Sequence, residues 1–199
     1  MSADNELIER SHRHPASFAE LYDRHATAVH RYAAQRLGEH SADDIMSETF
    51  LVAFEKRESY DASIVDARPW LLGIATRLMR KHVRLEARAW KGMVAGLAAQ
   101  VAPDVIERAG SRLDAARLTK RLASAFRSLS AVDRDTLLLY AWADLDYAAI
   151  AAALEVPVGT VRSRLNRARR LMRDAAAVAS ASTDREIDHG RTDSAAQQA

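Results

Sequence analysis

The stretch DYAAIAAALEVPVGTVRSRLNRARRLMR, residues 146–173, decides the fold. It parses as two helices joined by a tight turn. The first covers about 147–154, is rich in alanine, and places Ile150 and Leu154 four apart on one face. Glu155-Val156-Pro157 stops it, because a proline and the residue before it both resist continuing a helix. The second helix begins near Val158. Its apolar stripe is Val161, Leu165, Ala168 and Met172, at helical spacing. Between Val156 and Arg173 stand six arginines and no acid. Ser163, Asn166 and Arg170 face away from the stripe, flanked by Arg162, Arg167, Arg169 and Arg173. A solvated bundle helix mixes its charge signs. A uniformly basic face with short polar side chains between the arginines suits a major groove, where arginine meets phosphates and guanine edges and Ser or Asn meets other base edges. The expectation is a helix-turn-helix; a plain helical hairpin with a basic surface is the alternative.

Composition sets the frame. The 199 residues hold 48% hydrophobic and 28% charged positions, enough to bury a core in one or two small domains. No apolar run approaches the roughly 20 residues needed to span a bilayer. The opening MSADNELIERSHRHP is polar and lacks the form of a signal peptide. There is no cysteine, which removes disulfides, thiolate metal sites and thiol catalysis and fits a reducing cytoplasm. A net charge of +2 conceals segregation: residues 39–58 carry six acids and two bases, and residues 68–91 carry seven bases and one acid. Two basic faces and one acidic face imply nucleic acid plus a further partner.

Outward from the helix-turn-helix the chain reads as helices throughout, with no strand pattern. Residues 1–16 are expected as a mobile lead. Ser17-Phe18-Ala19-Glu20 has the form of a capping box and starts a helix that ends at Gly38, with Phe18, Leu21, Tyr22, Ala26, Val29, Tyr32 and Ala33 inward. Ser41 opens a second helix to about Lys56, burying Ile45, Met46, Thr49, Phe50 and Ala53. Its other side carries Asp44, Glu48, Leu51 and Glu55 with Ser47 beside them, an acid ridge around an exposed leucine that reads as a docking surface. After a loop at 57–68, Pro69 starts a third helix with Leu71, Ile74, Ala75, Leu78, His82 and Leu85 inward. Arg77, Arg80, Lys81, Arg84 and Arg88 form a second basic ridge, suited to phosphate contact. Glycines and Pro103 make residues 89–112 a flexible linker. Helices resume near 112, Ser130 caps another before the helix-turn-helix, and residues 179–199 have little to bury and read as a disordered tail. The fold expected is all-α: two small helical domains, at 17–88 and 113–178, joined by the linker.

With these segments in order, the chain resembles the sigma-70 family of RNA polymerase sigma factors, in the small two-domain extracytoplasmic-function group. SADDIMSETFLVAFE resembles the polymerase-binding part of region two. RPWLLGIATRLMRKHVR resembles the adjoining segment that handles the −10 element, and DYAAIAAALEVPVGTVRSRLNRAR resembles the region-four helix-turn-helix. The resemblance implies that Asp44, Ser47, Glu48, Leu51 and Glu55 dock on the clamp helices of the polymerase β′ subunit. It implies that Arg77, Arg80, Lys81 and Arg84 hold the −10 DNA and that the 57–68 loop receives a flipped-out base. It assigns the −35 element to the helix from Val158. There Arg162, Ser163, Asn166 and Arg167 face the bases, and Thr160 and Arg164 lie nearer the phosphates. Core polymerase (through the β′ clamp helices and the β flap), promoter DNA and an anti-sigma factor are the implied partners, in the cytoplasm.

The chain departs from the family pattern at Ser47, Arg77 and Lys81, where Gln, Asn and Asp are frequent, and at Ala149, where a capping Glu is frequent. The departures at Arg77 and Lys81 make the −10 helix more basic. No nucleophile motif, phosphate loop or metal-ligand spacing is present, so no catalytic residue, cofactor or metal is expected. A dimeric helix-turn-helix repressor or activator is the competing reading. It explains residues 146–173 and leaves both the acid ridge and the first basic ridge unused.

Overall fold

The computed structural model describes residues 2–96 and 110–192. Eight α-helices run through them: α1 (Asp4–Ser11), α2 (Phe18–Leu37), α3 (Glu39–Glu55), α4 (Arg68–Gly96), α5 (Gly110–Ser128), α6 (Ala131–Trp142), α7 (Tyr147–Leu154) and α8 (Val158–Thr192). Short 3₁₀ turns at Pro15–Ser17 and Arg57–Ser59 precede α2 and follow α3. No strand occurs among the described residues, and none of their helices is long and apolar enough to cross a membrane. Two compact helical units form, one from residues 1–100 with 138–161 and the other from 101–137 with 162–199.

In the first unit the apolar periodicities close into one core. Leu21, Val29, Tyr32 and Ala33 of α2 are buried, as are Ile45, Thr49, Phe50 and Ala53 of α3 and Leu71, Leu72, Ile74, Ala75 and Met79 of α4. The Thr49 and Thr76 hydroxyls donate to the carbonyls four residues back, so each enters the core with its polar group satisfied. Tyr32 and Thr76 place their hydroxyls 3.2 Å apart between α2 and α4. Phe18 meets Phe54 edge-on at 5.3 Å, and Tyr22 meets Phe50 at 4.8 Å although its own ring is partly exposed. Of the residues expected inward, Ala26, Met46, Leu78 and His82 are half-buried, and Tyr22 and Leu85 are exposed, because the buried side of α4 runs through Met79.

Local starts and stops also differ from the expectation in places. Residues 4–11 form α1, with Leu7 and Ile8 buried, where a mobile lead was expected; eight residues with two core side chains give too short a pattern to read. The Ser17–Glu20 capping box does not form. The 3₁₀ turn holds Ser17 in helical backbone geometry, and Glu20 instead takes an ion pair with Arg24. α3 starts at Glu39 instead of Ser41, directly after Gly38, whose φ of 86° makes the sharp bend between α2 and α3. α4 continues to Gly96 across the expected break, and α8 to Thr192 across the expected tail. The alanines after Asp174 have the highest helix propensity, which favours continuing the helix there. The rest of the expected linker and tail, 97–109 and 193–199, lies outside the described residues.

α7 has the bounds read from the sequence. Asp146 caps its start by accepting the Ala149 N–H at 2.7 Å, the half of a capping box that needs no Glu at 149. At its end Glu155 adopts the left-handed conformation, with φ 54° and ψ 48°. The N–H groups of Glu155 and Val156 then donate to Ala152 and Ala151, which is the Schellman closure. Ser130 accepts the Asp133 N–H at 3.2 Å and starts α6 as expected.

Candidate nucleic-acid interface

α3 presents Asp44, Ser47, Glu48, Leu51 and Glu55 together on its exposed side, opposite Ala42, Ile45, Thr49 and Ala53. Leu51 is 58% exposed in the middle of this acid surface. Glu48 lies 4.0 Å from Lys81 of α4, where the acid ridge meets the basic one. Both side chains are exposed and screened, so this pair adds little to stability.

On α4, Lys81 and Arg84 are exposed and Arg80 is half-buried. Arg77 donates to Glu155, just past the end of α7, at 2.8 Å. One turn earlier Gly73 lies so close to α7 that a Cβ there would stand 2.2 Å from the Ala153 carbonyl oxygen. Arg68 anchors the same junction by donating to the Ala143 carbonyl at 2.5 Å. A cavity of 420 Å³ opens beside it, lined among others by Lys56, Tyr60, Asp66, Trp70, Arg77 and Glu155. The Tyr60 and Trp70 rings stand 4.9 Å apart on its wall. Burial raises the Tyr60 phenol well above its ordinary value, and the carboxylates of Asp4, Asp66 and Asp61 add to it, so the group stays neutral. Its hydroxyl donates to the Ile64 carbonyl at 2.8 Å.

The loop that carries this cavity is fixed by α1, a contribution missing from the sequence reading. Asn5 donates to the Ala62 carbonyl at 2.8 Å. The buried Asp4 carboxylate accepts the Ala67 N–H at 3.0 Å, His25 at 2.7 Å and Arg24 at 3.0 Å. Burial alone would raise the Asp4 carboxyl, but these donors outweigh it and hold the group below its ordinary value. Asp4, His25 and Asp66 come within 4.8 Å of one another, a grouping that no local spacing announces. Asp4 is already filled by three donors and Asp66 accepts the Arg68 N–H at 2.8 Å, so the cluster is a hydrogen-bond hub.

On α8, Val161, Leu165 and Ala168 are fully buried and Met172 is half-buried, as the stripe predicts. Arg162, Ser163, Asn166 and Arg167 are exposed on the other side, while Thr160 and Arg164 are intermediate. Arg167 also reaches the buried Asp133 of α6, with Nη1 3.1 Å and 3.3 Å from its two carboxylate oxygens. This tie spans 34 positions and was not foreseen. It engages the guanidinium end of a side chain that is otherwise half exposed.

The Sigma-70 region 2 family matches residues 21–89, and the Sigma-70, region 4 family matches residues 119–172. The extracytoplasmic-function (ECF) RNA polymerase sigma factor SigL of Mycobacterium tuberculosis is 31% identical over 157 residues, covering 77% of this chain and 85% of SigL. SigC of the same species is 35% identical over 141 residues, covering 71% and 73%. SigE of Mycolicibacterium smegmatis is 31% identical over 166 residues, and there the match spans only 61% of the relative. Two solved structures share the fold. CnrH in complex with the cytosolic domain of CnrY has a TM-score of 0.58 at 24% identity, covering 87% of this chain and 96% of that one. The sigma factor RpoE of Bartonella quintana, bound to the anti-sigma factor NepR, has a TM-score of 0.55 at 23% identity, covering 81% and 97%. Both helical segments and the relatives that match across them lead to one assignment: the chain belongs to the sigma-70 family of RNA polymerase sigma factors, in the extracytoplasmic-function group.

Proposed function

We propose that the chain works in the cytoplasm as a promoter-specificity subunit of RNA polymerase, with no catalytic chemistry of its own. The observation that carries this reading is the split of charge between the two sides of one small bundle. α3 offers an acid ridge around Leu51, and α4 offers a basic one that starts beside an aromatic-walled cavity. In this assignment Asp44, Ser47, Glu48, Leu51 and Glu55 dock on the β′ clamp helices, and the region-four helices meet the β flap. Arg77, Arg80, Lys81 and Arg84 hold the −10 strand, with the loop at 60–67 beside it. Thr160, Arg162, Ser163, Arg164, Asn166 and Arg167 address the −35 element. An anti-sigma factor is the expected regulator, in keeping with the NepR complex of the Bartonella protein.

In vitro transcription with purified core polymerase on a pool of promoter fragments tests the reading. Starts that need this protein and share two upstream elements support it. A tight, specific gel shift by the protein alone, with no new starts, supports a stand-alone regulator instead.

A further inference from the structure

Two residues at the junction of α4 and α7 are unfavourable for their own segments. Gly73 lies inside α4, where glycine costs about 1 kcal/mol relative to alanine. Glu155 occupies a left-handed position, normally left to glycine, at about 1–2 kcal/mol. The junction accounts for both. Without a side chain at 73, α7 can bring the Ala153 carbonyl against α4. With a carboxylate at 155, the chain turning out of α7 reaches Arg77. Ala152 and Glu155 thereby stand on the wall of the cavity formed with Tyr60 and Trp70.

We propose that α7 is an intramolecular competitor for the promoter strand on α4. In the free chain the Glu155 carboxylate takes the place of a backbone phosphate on Arg77, and the end of α7 narrows the cavity. The strand gains the Arg77 end of the ridge only when α7 leaves. Apparent affinity is then the intrinsic affinity scaled by the open fraction. This rests on the reading of α4 as the strand-contacting ridge, and the test separates the two.

The test uses the full chain with Gly73→Ala, Glu155→Gly and the double variant. Each favours its own local backbone, so loss of the contact is not confused with loss of the fold. Hydrogen exchange over residues 147–154 reports release of α7. Fluorescence anisotropy with a short single-stranded DNA of mixed sequence reports binding. Glu155→Gly removes an exposed ion pair and should tighten binding roughly 2- to 5-fold. Gly73→Ala forces a side chain against backbone and should tighten it roughly 5- to 150-fold. Gly73→Ala should speed exchange over 147–154, whereas Glu155→Gly also relieves the left-handed turn that closes α7 and is read by affinity alone. Faster exchange with unchanged affinity overturns the competition, as does unchanged exchange in Gly73→Ala. Adding Arg80→Ala and Lys81→Ala to the opened chain should weaken binding. If it does not, the strand-contacting role of α4 fails, and the competition with it.

Discussion

A single carboxylate, Asp4, ties α1, α2 and the start of α4 together, since Arg24, His25 and the Ala67 N–H all converge on it. Asp4→Ala should lower unfolding stability by about 1.5–3 kcal/mol, the scale of a lost charged hydrogen bond, measured by urea titration. The sign with pH follows from the depressed folded value. The contribution is complete above the ordinary carboxyl value of 3.8 and disappears as acid protonates Asp4 at its lower folded value. An acid titration of Asp4→Ala should therefore fall less steeply below that pH than the parent. At the other end of the chain, Arg167 both faces outward and holds the buried Asp133. Arg167→Ala should weaken transcription by about 1–3 kcal/mol on promoters with a −35 element and less on promoters without one. Equal losses on both would make Arg167 a clamp for α8 and not a reader of bases. Neither partnership could be seen in the sequence, because contacts across 34 or 63 positions leave no periodic trace. Exposure of Arg162, Ser163 and Asn166 was legible, since the buried stripe alone dictates it.

Among elements, α7 was the most legible, because Asp146 and Pro157 bracket it chemically. α1 was the least legible, because its amphipathic pattern holds only Leu7 and Ile8. Its removal should nonetheless be severe. Two fully buried aliphatic side chains contribute about 1.5–3 kcal/mol each, and the Asp4 hub goes with them. A chain lacking residues 1–11 should lose cooperative thermal unfolding in the first unit, followed by circular dichroism. On α3, Glu48→Lys should weaken binding to core polymerase while leaving the melting temperature unchanged, since Glu48 is exposed and its contact with Lys81 is long. Unaltered affinity would remove the docking role of the acid ridge. On α4, Arg84→Ala should reduce the slope of log affinity against log salt by about 1 without altering sequence preference, as for one lost phosphate contact.

For the molecule as a whole, helical period and charge segregation were enough to predict an all-α chain with a helix-turn-helix, because both are repeated within each segment. The close approach at Gly73 was not legible, since a glycine inside a helix reads equally as an indifferent weakness. The same holds for the hold of α1 on the loop at 60–67. That hold sets an order on folding during synthesis. Asp4 leaves the ribosome 63 residues ahead of the amide it must bind. At about 5–20 residues per second the Asp4 carboxylate waits roughly 3–13 seconds for that amide. Asp4 thus gains its last donor only when Ala67 arrives, so α1 locks onto the loop at 60–67 after α2 and α3 have been made.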